Sequence, residues 1–452
     1  MSEQAQDKRI YTLTEEKPVK AVFKMGIPVT MGMLFMVVYN LVDTYFIGML
    51  DDPYQLAATN LAYPVMIVLV AMAGIVGNGG SSYISRCMGA KEDEKAIHTL
   101  TIGFELTVIT AVIITAVGML FLNPLVRVLG AQENTFDYTR DYTMVLLLGS
   151  IFSMGNYAFG QLLRSEGSVM YSMVGMIAGT VANIVLDPVF IFGLHMEIKG
   201  AAVATVLGNA LSTFIYLYYY AANKTLLKPS RKLMRLDGGI IKEIMVVGFP
   251  HTLEQFFTTA GVLVCNNLAV GYGELAVAGI GVANKLMTFG QYVYQGMTAG
   301  CQPLFGYNYG AKNFKRLKKI ILSGMAVSTS MEVVIVLFFG VCATWLIGLF
   351  SSDPEVVSLG ASALRAMMLV LLVASCTNIS RNMFNSAGKA MHSFTITLVR
   401  QLALYIPFMF LFNNLWGFTG LIHAQPAAEL LCMVFAVALL FRFLKKMETQ
   451  NA

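Results

Sequence analysis

Twelve long runs of mostly apolar residues alternate with short polar segments along this chain. The runs cover residues 24–50, 54–86, 94–121, 136–163, 167–192, 199–222, 241–271, 276–308, 313–349, 355–385, 391–412 and 417–446. None is shorter than the roughly 20 residues a helix needs to cross the hydrocarbon of a bilayer. Backbone polar groups in lipid must bond within their own segment, so each run is predicted to be a helix. The pattern predicts an all-α membrane protein with twelve transmembrane helices.

Composition agrees with that reading. The chain has 452 residues, 56% hydrophobic and 13% charged. Soluble domains carry roughly 25% charged residues. The net charge of +5 does not point to nucleic acid, because the basic residues sit in short loops between the apolar runs. Counted by side, 25 Lys and Arg fall in one set of alternate loops and tails and 3 in the other. The positive-inside rule then places both termini in the cytoplasm. The polar first 23 residues contain no short apolar run with a cleavage site, so no removable signal is expected. The six cysteines, Cys87, Cys265, Cys301, Cys342, Cys376 and Cys432, are scattered, without a CxxC pair. They are expected to be small buried hydrophobes.

The two halves repeat. Gly26-Ile-Pro28 returns as Gly248-Phe-Pro250, Gly89-Ala-Lys91 as Gly310-Ala-Lys312, and Ser165-Glu-Gly167 as Ser386-Ala-Gly388. Pro188 and Gly200 return as Pro407 and Gly420 at nearly the same offset. A shared order and spacing is the mark of a duplication. Six spans per copy is an even number, so both copies cross in the same direction. The expected architecture is two six-helix bundles related by a pseudo-two-fold axis along the membrane normal. The chain divides into a cytoplasmic tail (1–23), an N-terminal lobe (24–222), a cytoplasmic linker (223–240), a C-terminal lobe (241–446) and a second tail (447–452).

Ionisable residues inside spans cost about 2.5–3.5 kcal/mol to insert and mark function by default. The first half holds Asp43 and Asp187. At 1.5 Å per residue they lie about 10 Å and about 8 Å from the outer ends of their spans. Thr205 and Tyr142 fall at a similar depth. Asn183 and Asp187 are four residues apart and share a helix face. Pro188 frees the carbonyl of Ile184 from its helical partner. Carboxylate, amide oxygen, hydroxyl and free carbonyl suit a small hard cation, and paired carboxylates also suit a proton. The plainer alternative is hydrogen-bonded helix–helix glue.

The second half has no acid at the place of Asp187. It carries Glu254, Lys285, Arg365 and Arg400 within spans. Glu254 and Lys285 fall near mid-membrane on consecutive spans and are expected to pair. Glu105, Glu332 and Glu429 are unassigned. The 29 methionines suit either an adaptable binding surface or ordinary core filling.

Pro28, the run Tyr39-Asn-Leu-Val-Asp43-Thr-Tyr-Phe-Ile-Gly48, Asn183-x-x-x-Asp187-Pro188 and Gly306-Tyr-Asn-Tyr-Gly-Ala-Lys312 together resemble the multidrug and toxic compound extrusion (MATE) family, in its DinF-like branch. The resemblance covers about residues 20–446. It implies a secondary antiporter that exports organic, often cationic and amphipathic, compounds in exchange for H⁺ or Na⁺ by alternating access. It places the cation site at Asp43, Asn183, Asp187 and Thr205, with Tyr142 a weaker match. These would be the ligands if the ion is Na⁺. It also implies that span 1 bends at Pro28; at Pro188 a bend is expected from the missing N–H. The other main bacterial branch uses acids in spans 7 and 10. Span 10 lacks one here, which favours the N-terminal lobe.

The rival within the same superfamily is a flippase for lipids or polysaccharide precursors. Lys285, Arg365 and Arg400 support it, and the count of twelve spans opposes it. An enzyme is disfavoured, since HExxH, nucleophile-elbow and Walker A sequences are absent. The chain is therefore expected to need no cofactor beyond the coupling ion. It is expected to work as a monomer in the inner (plasma) membrane, with a small organic molecule and the lipid bilayer as partners.

Overall fold

A computed structural model describes residues 3–50, 52–229, 233, 235–351 and 353–450. The described chain is helical throughout, without strands. A short helix, α1 (Glu3–Thr14), precedes α2 (Pro18–Gly48), so much of the segment read as a tail is ordered helix. The first repeat continues with α3 (Pro53–Gly89), α4 (Asp93–Leu120), the short α5 (Leu122–Val128), α6 (Glu133–Leu148), α7 (Ser150–Ser165), α8 (Val169–Pro188) and α9 (Glu197–Ala221). The second has α10 (Gly238–Val270), α11 (Glu274–Gly310), α12 (Phe314–Gly348), α13 (Pro354–Ser386), α14 (Ala390–Leu398) and α15 (Ile406–Gln450).

Eight of these stretches are long and apolar enough to cross a membrane, and the bent pair α6–α7 makes a ninth. One of the eight, Ala390–Thr449, spans 60 residues, enough for two crossings. The chain doubles back there. Gly417 has φ 59 and ψ −139, a conformation that only glycine adopts readily, and Gly420 lies against the backbone of Phe412. Helices α10 and α11 are long but carry more polar residues, and they complete the twelve spans.

Local chemistry explains several boundaries. Asp-Pro pairs start α3 and α13. The Asp52 carboxylate accepts from the Tyr54 N–H, and Asp353 from those of Glu355 and Val356. The proline at the next position loses no helical bond there. The fourth span, expected as one helix, bends by 52° between α6 and α7. Gly149 sits at the bend, where an added Cβ would strike Val206 of α9. The Leu147 carbonyl at the break accepts from Thr115 Oγ1 at 2.7 Å. After Pro188 the chain makes a π-helical turn, Val189–Gly193, and a second π segment, Val399–Tyr405, follows α14.

Contacts divide the chain into two compact units. Unit 1 holds residues 1–10 and 31–249, and unit 2 holds 11–30 and 250–452. The division therefore differs from the expected lobe limits. The first part of α2 belongs with the second half, and the first part of α10 with the first half. Glycines make both placements possible. In unit 2, a Cβ on Gly300 of α11 would lie 2.4 Å from the Met25 carbonyl oxygen. In unit 1, one on Gly79 of α3 would lie 2.1 Å from the carbonyl oxygen of Ile244. Gly79 and Gly300 are repeat equivalents, so the duplication extends to packing. Helix α2 is assigned without interruption through Pro28. The Thr30 hydroxyl donates to the Gly26 carbonyl at 3.0 Å.

Helix α1 is tied down by side chains. Within unit 1, Arg9 Nη1 donates to Ser168 Oγ (2.6 Å), Tyr219 OH (2.5 Å) and the Lys224 carbonyl (3.1 Å). Glu166 is buried beside them and accepts from Tyr219 OH, Thr225 Oγ1 and the Leu226 N–H. Within unit 2, Arg316 donates to the carbonyls of Thr12 and Leu13 at 3.4 Å and, just past the helix, to that of Glu16 at 2.8 Å. Of the linker, residues 230–232 and 234 lie outside the described residues. Asp237 caps the start of α10 through the Gly239 and Ile240 N–H groups.

Candidate functional site: two carboxylates in unit 1

Glycine packing also builds the candidate site. Gly179 of α8 and Gly208 of α9 meet so closely that a Cβ on Gly208 would lie 2.6 Å from the Gly179 carbonyl oxygen. One turn from this contact Asn183 of α8 meets Thr205 of α9, and Asp187 follows one turn beyond Asn183. Asn183 and Asp187 are buried, Asp187 completely, and Thr205 is 6% exposed. With its amide nitrogen 3.1 Å from Asp187 Oδ2, Asn183 accepts from the Thr205 N–H at 2.9 Å. The amide then links the carboxylate to the next helix.

Helix α2 supplies the remaining groups. Tyr39 OH lies 3.4 Å from Thr205 Oγ1. Asp43, one turn later, has a buried Oδ1 with no hydrogen-bond partner among the described residues. Tyr39 and Tyr142 are both within electrostatic reach of Asp43 and Asp187. Tyr142 is 8% exposed and packs with Ile47, Ala58 and Leu146. The structure thus gathers Asp43, Asn183, Asp187, Thr205 and Tyr142 in one locality. It adds Tyr39, which the sequence reading did not nominate. Its signal was available, since Tyr39 and Asp43 share a helix face at i and i+4.

No Lys, Arg or His forms an ion pair with Asp43 or Asp187 among the described residues. The groups around them are neutral: an amide, two or three hydroxyls and the backbone. An oxygen-rich place of this kind has the chemistry to take either a proton or a small hard cation.

Unit 2 overturns the expected pairing of Glu254 with Lys285. Glu254, 1% exposed, pairs instead with Arg381 of α13 and accepts from Ser393 Oγ at 2.7 Å. Lys285 is exposed. Arg381 lies near the end of its helix and reads from sequence as a loop cation, but its long side chain reaches inward. Arg400 pairs with Glu429 at 3.5 Å and donates to Thr258 Oγ1 at 3.3 Å. Arg365 is exposed and caps the Gly340 carbonyl and Thr344.

The MatE family pattern matches this chain twice, over residues 28–189 and 250–411. The two matches begin at Pro28 and Pro250, the prolines that mark the internal repeat. The chain belongs to the MATE family. MATE proteins are membrane transporters and not enzymes. Multidrug export protein MepA of Staphylococcus haemolyticus (strain JCSC1435) is 29% identical over 449 residues, 99% of this chain and 98% of its own. MepA of Staphylococcus aureus (strain NCTC 8325 / PS 47) is 30% identical over 438 residues, 96% of each. Among solved structures, a MATE protein in complex with MaL6 superposes with a TM-score of 0.93 at 26% identity, over 98% of this chain and 99% of that one. An outward-facing multidrug resistance MATE transporter gives 0.92 at 26%, over 97% and 98%. Twelve helices in two six-helix bundles are the architecture of this MATE transporter.

Proposed function

We propose that the protein is a secondary antiporter that exports organic, cationic and amphipathic compounds in exchange for H⁺ or Na⁺ by alternating access. The observation that carries this reading is the pair Asp43 and Asp187, held in an apolar unit without a basic partner. Its relatives are multidrug export proteins, which supports the choice of cargo.

In the proposed cycle the ion enters the unit 1 site, where Asp43, Asp187, Asn183 and Thr205 offer oxygens and Tyr39 and Tyr142 close the surround. Two carboxylates in a dry site repel each other, and a bound ion relieves that repulsion. Neutralisation lets the helices repack around Pro188, where the backbone ladder is already broken. A cationic compound loses its attraction to the site at the same moment, so ion and cargo compete. The flippase alternative loses one of its three cations in unit 2, where Glu429 neutralises Arg400; Lys285 and Arg365 have no acid partner among the described residues.

The test is dye efflux from everted membrane vesicles under imposed proton and sodium gradients, applied separately. Export driven by one gradient supports the proposal, and export driven by neither sinks it. The proposal includes a plasma-membrane location, a monomer and cytoplasmic termini. A cysteine placed in the 51–53 loop should then react with an impermeant thiol reagent added outside, and one at 228–232 should not.

A further inference from the structure

We propose that Glu332, on α12, is a second proton-carrying site in unit 2, separate from the two carboxylates of unit 1. Glu332 is completely buried. The backbone of Tyr294 comes near it, yet neither carboxyl oxygen has a hydrogen bond of ordinary geometry among the described residues. The other two buried acids of the unit's spans each have an arginine, Glu254 with Arg381 and Glu429 with Arg400. Glu332 has none. An isolated ionised carboxylate in such a place costs more than a fold's whole margin of stability. The group therefore carries a proton.

No donor among the described residues reaches either oxygen in ordinary hydrogen-bond geometry, so nothing fixes the group in its charged form. Helices α11, α13 and α15 pack on α12. From α11, Tyr294 lies within electrostatic reach of Glu332, Glu429, Arg400 and Arg381. One turn on, Thr298 Oγ1 is buried and unpartnered, as are Arg400 Nε and Glu429 Oε1. From α13, Cys376 meets Thr329 at 3.8 Å and Ser375 accepts from Ser328 at 3.1 Å. From the second π segment and α15 come Arg400 and Glu429. Tyr294 thus shares its surroundings with Glu332, Arg400 and Glu429. As the pH rises, the O–H bond of Glu332 breaks and its proton combines with hydroxide to give water; as the pH falls, the carboxylate takes a proton from hydronium.

The role given to this proton rests on the antiport reading, but its presence does not. Infrared pH-difference spectra of the full-length protein in lipid vesicles test it directly. The wild type should show a carboxylic-acid C=O band that Glu332→Gln lacks. That band should vanish reversibly as the pH is raised between about 5 and about 10. It should persist in the Asp43→Asn, Asp187→Asn double variant. A spectrum of Glu332→Gln identical to wild type, or a band that never responds to pH, overturns the proposal. If Glu332→Gln does not fold, ¹³C-glutamate wild type against Glu332→Asp gives the same readout, the band shifting out of the labelled set. A failure of the antiport reading is seen separately, as gradient-driven efflux that survives Asp187→Asn.

Discussion

Two pairs of buried acids, one pair in each unit, meet the cost of burial in opposite ways. In unit 2, Glu254 and Glu429 each meet an arginine inside the protein, and their charge is settled when the chain folds. In unit 1, Asp43 and Asp187 meet only neutral groups and each other, and in the proposed cycle an ion from outside the chain settles their charge. The same cost of burying an ion yields a structural joint in one place and a receptive site in the other. What differs is whether a guanidinium lies within reach. The lesson is that an acid in a membrane span points to transport only after its partners are known. By that measure Glu254, the next candidate on sequence grounds, falls behind the pair in unit 1.

The largest expected effect follows directly. Asp187→Asn and Asp43→Asn should each reduce gradient-driven dye efflux to the level of vesicles without the protein. Glu429→Gln, compared at equal folded protein, should keep a measurable rate; an equal loss there would erase the contrast. Stability should run the other way. Arg381→Ala leaves Glu254 buried and unpaired and should cost about 3–5 kcal/mol, read as a lower unfolding temperature in detergent. The double variant Arg381→Ala, Glu254→Ala should recover part of that loss. Asp187→Asn, which removes a charge with no partner, should raise the unfolding temperature.

The next effect probes what the units share. Gly79→Ala and Gly300→Ala each press a methyl group against a backbone carbonyl at repeat-equivalent places. Each should destabilise by about 1–3 kcal/mol, and a marked inequality would show that the duplication no longer governs packing. The smallest effect is Tyr39→Phe. Loss of one hydroxyl beside Thr205 should cost about 1 kcal/mol, roughly fivefold in apparent ion affinity. Ion-dependent tryptophan or dye fluorescence would measure it.

Much of this was legible in the sequence, because the bilayer imposes a simple length rule and the repeat offset is constant. The spans, the duplication and the grouping of Asp43, Asn183, Asp187, Thr205 and Tyr142 all follow from apolar runs, helical rise and i, i+4 spacing. Other features depend on three-dimensional contacts that spacing cannot supply. The glycine at the 149 bend is needed because Val206 fills the space a side chain would take. Glu254 found Arg381 instead of Lys285 because helix rotation, which hydropathy does not report, leaves Lys285 on an exposed face. Helix α1 was hidden because a polar helix held by Arg9 and Arg316 leaves no apolar signature.

The exchange of helix ends between the units has a consequence for cutting the protein. The 223–237 segment looks like the natural place to separate the halves. A fragment ending there, however, would lack Ile240 and Ile244, which close a buried cluster with Ile102, and would leave Gly79 facing an empty groove. The matching fragment would in turn lack Met25 and Gly26, the surface against which Gly300 is seated. Each fragment carries away a piece of the other's interior. Split at this linker, the two polypeptides should be degraded when made singly and should accumulate when made together, complementing each other as parts of one folding unit.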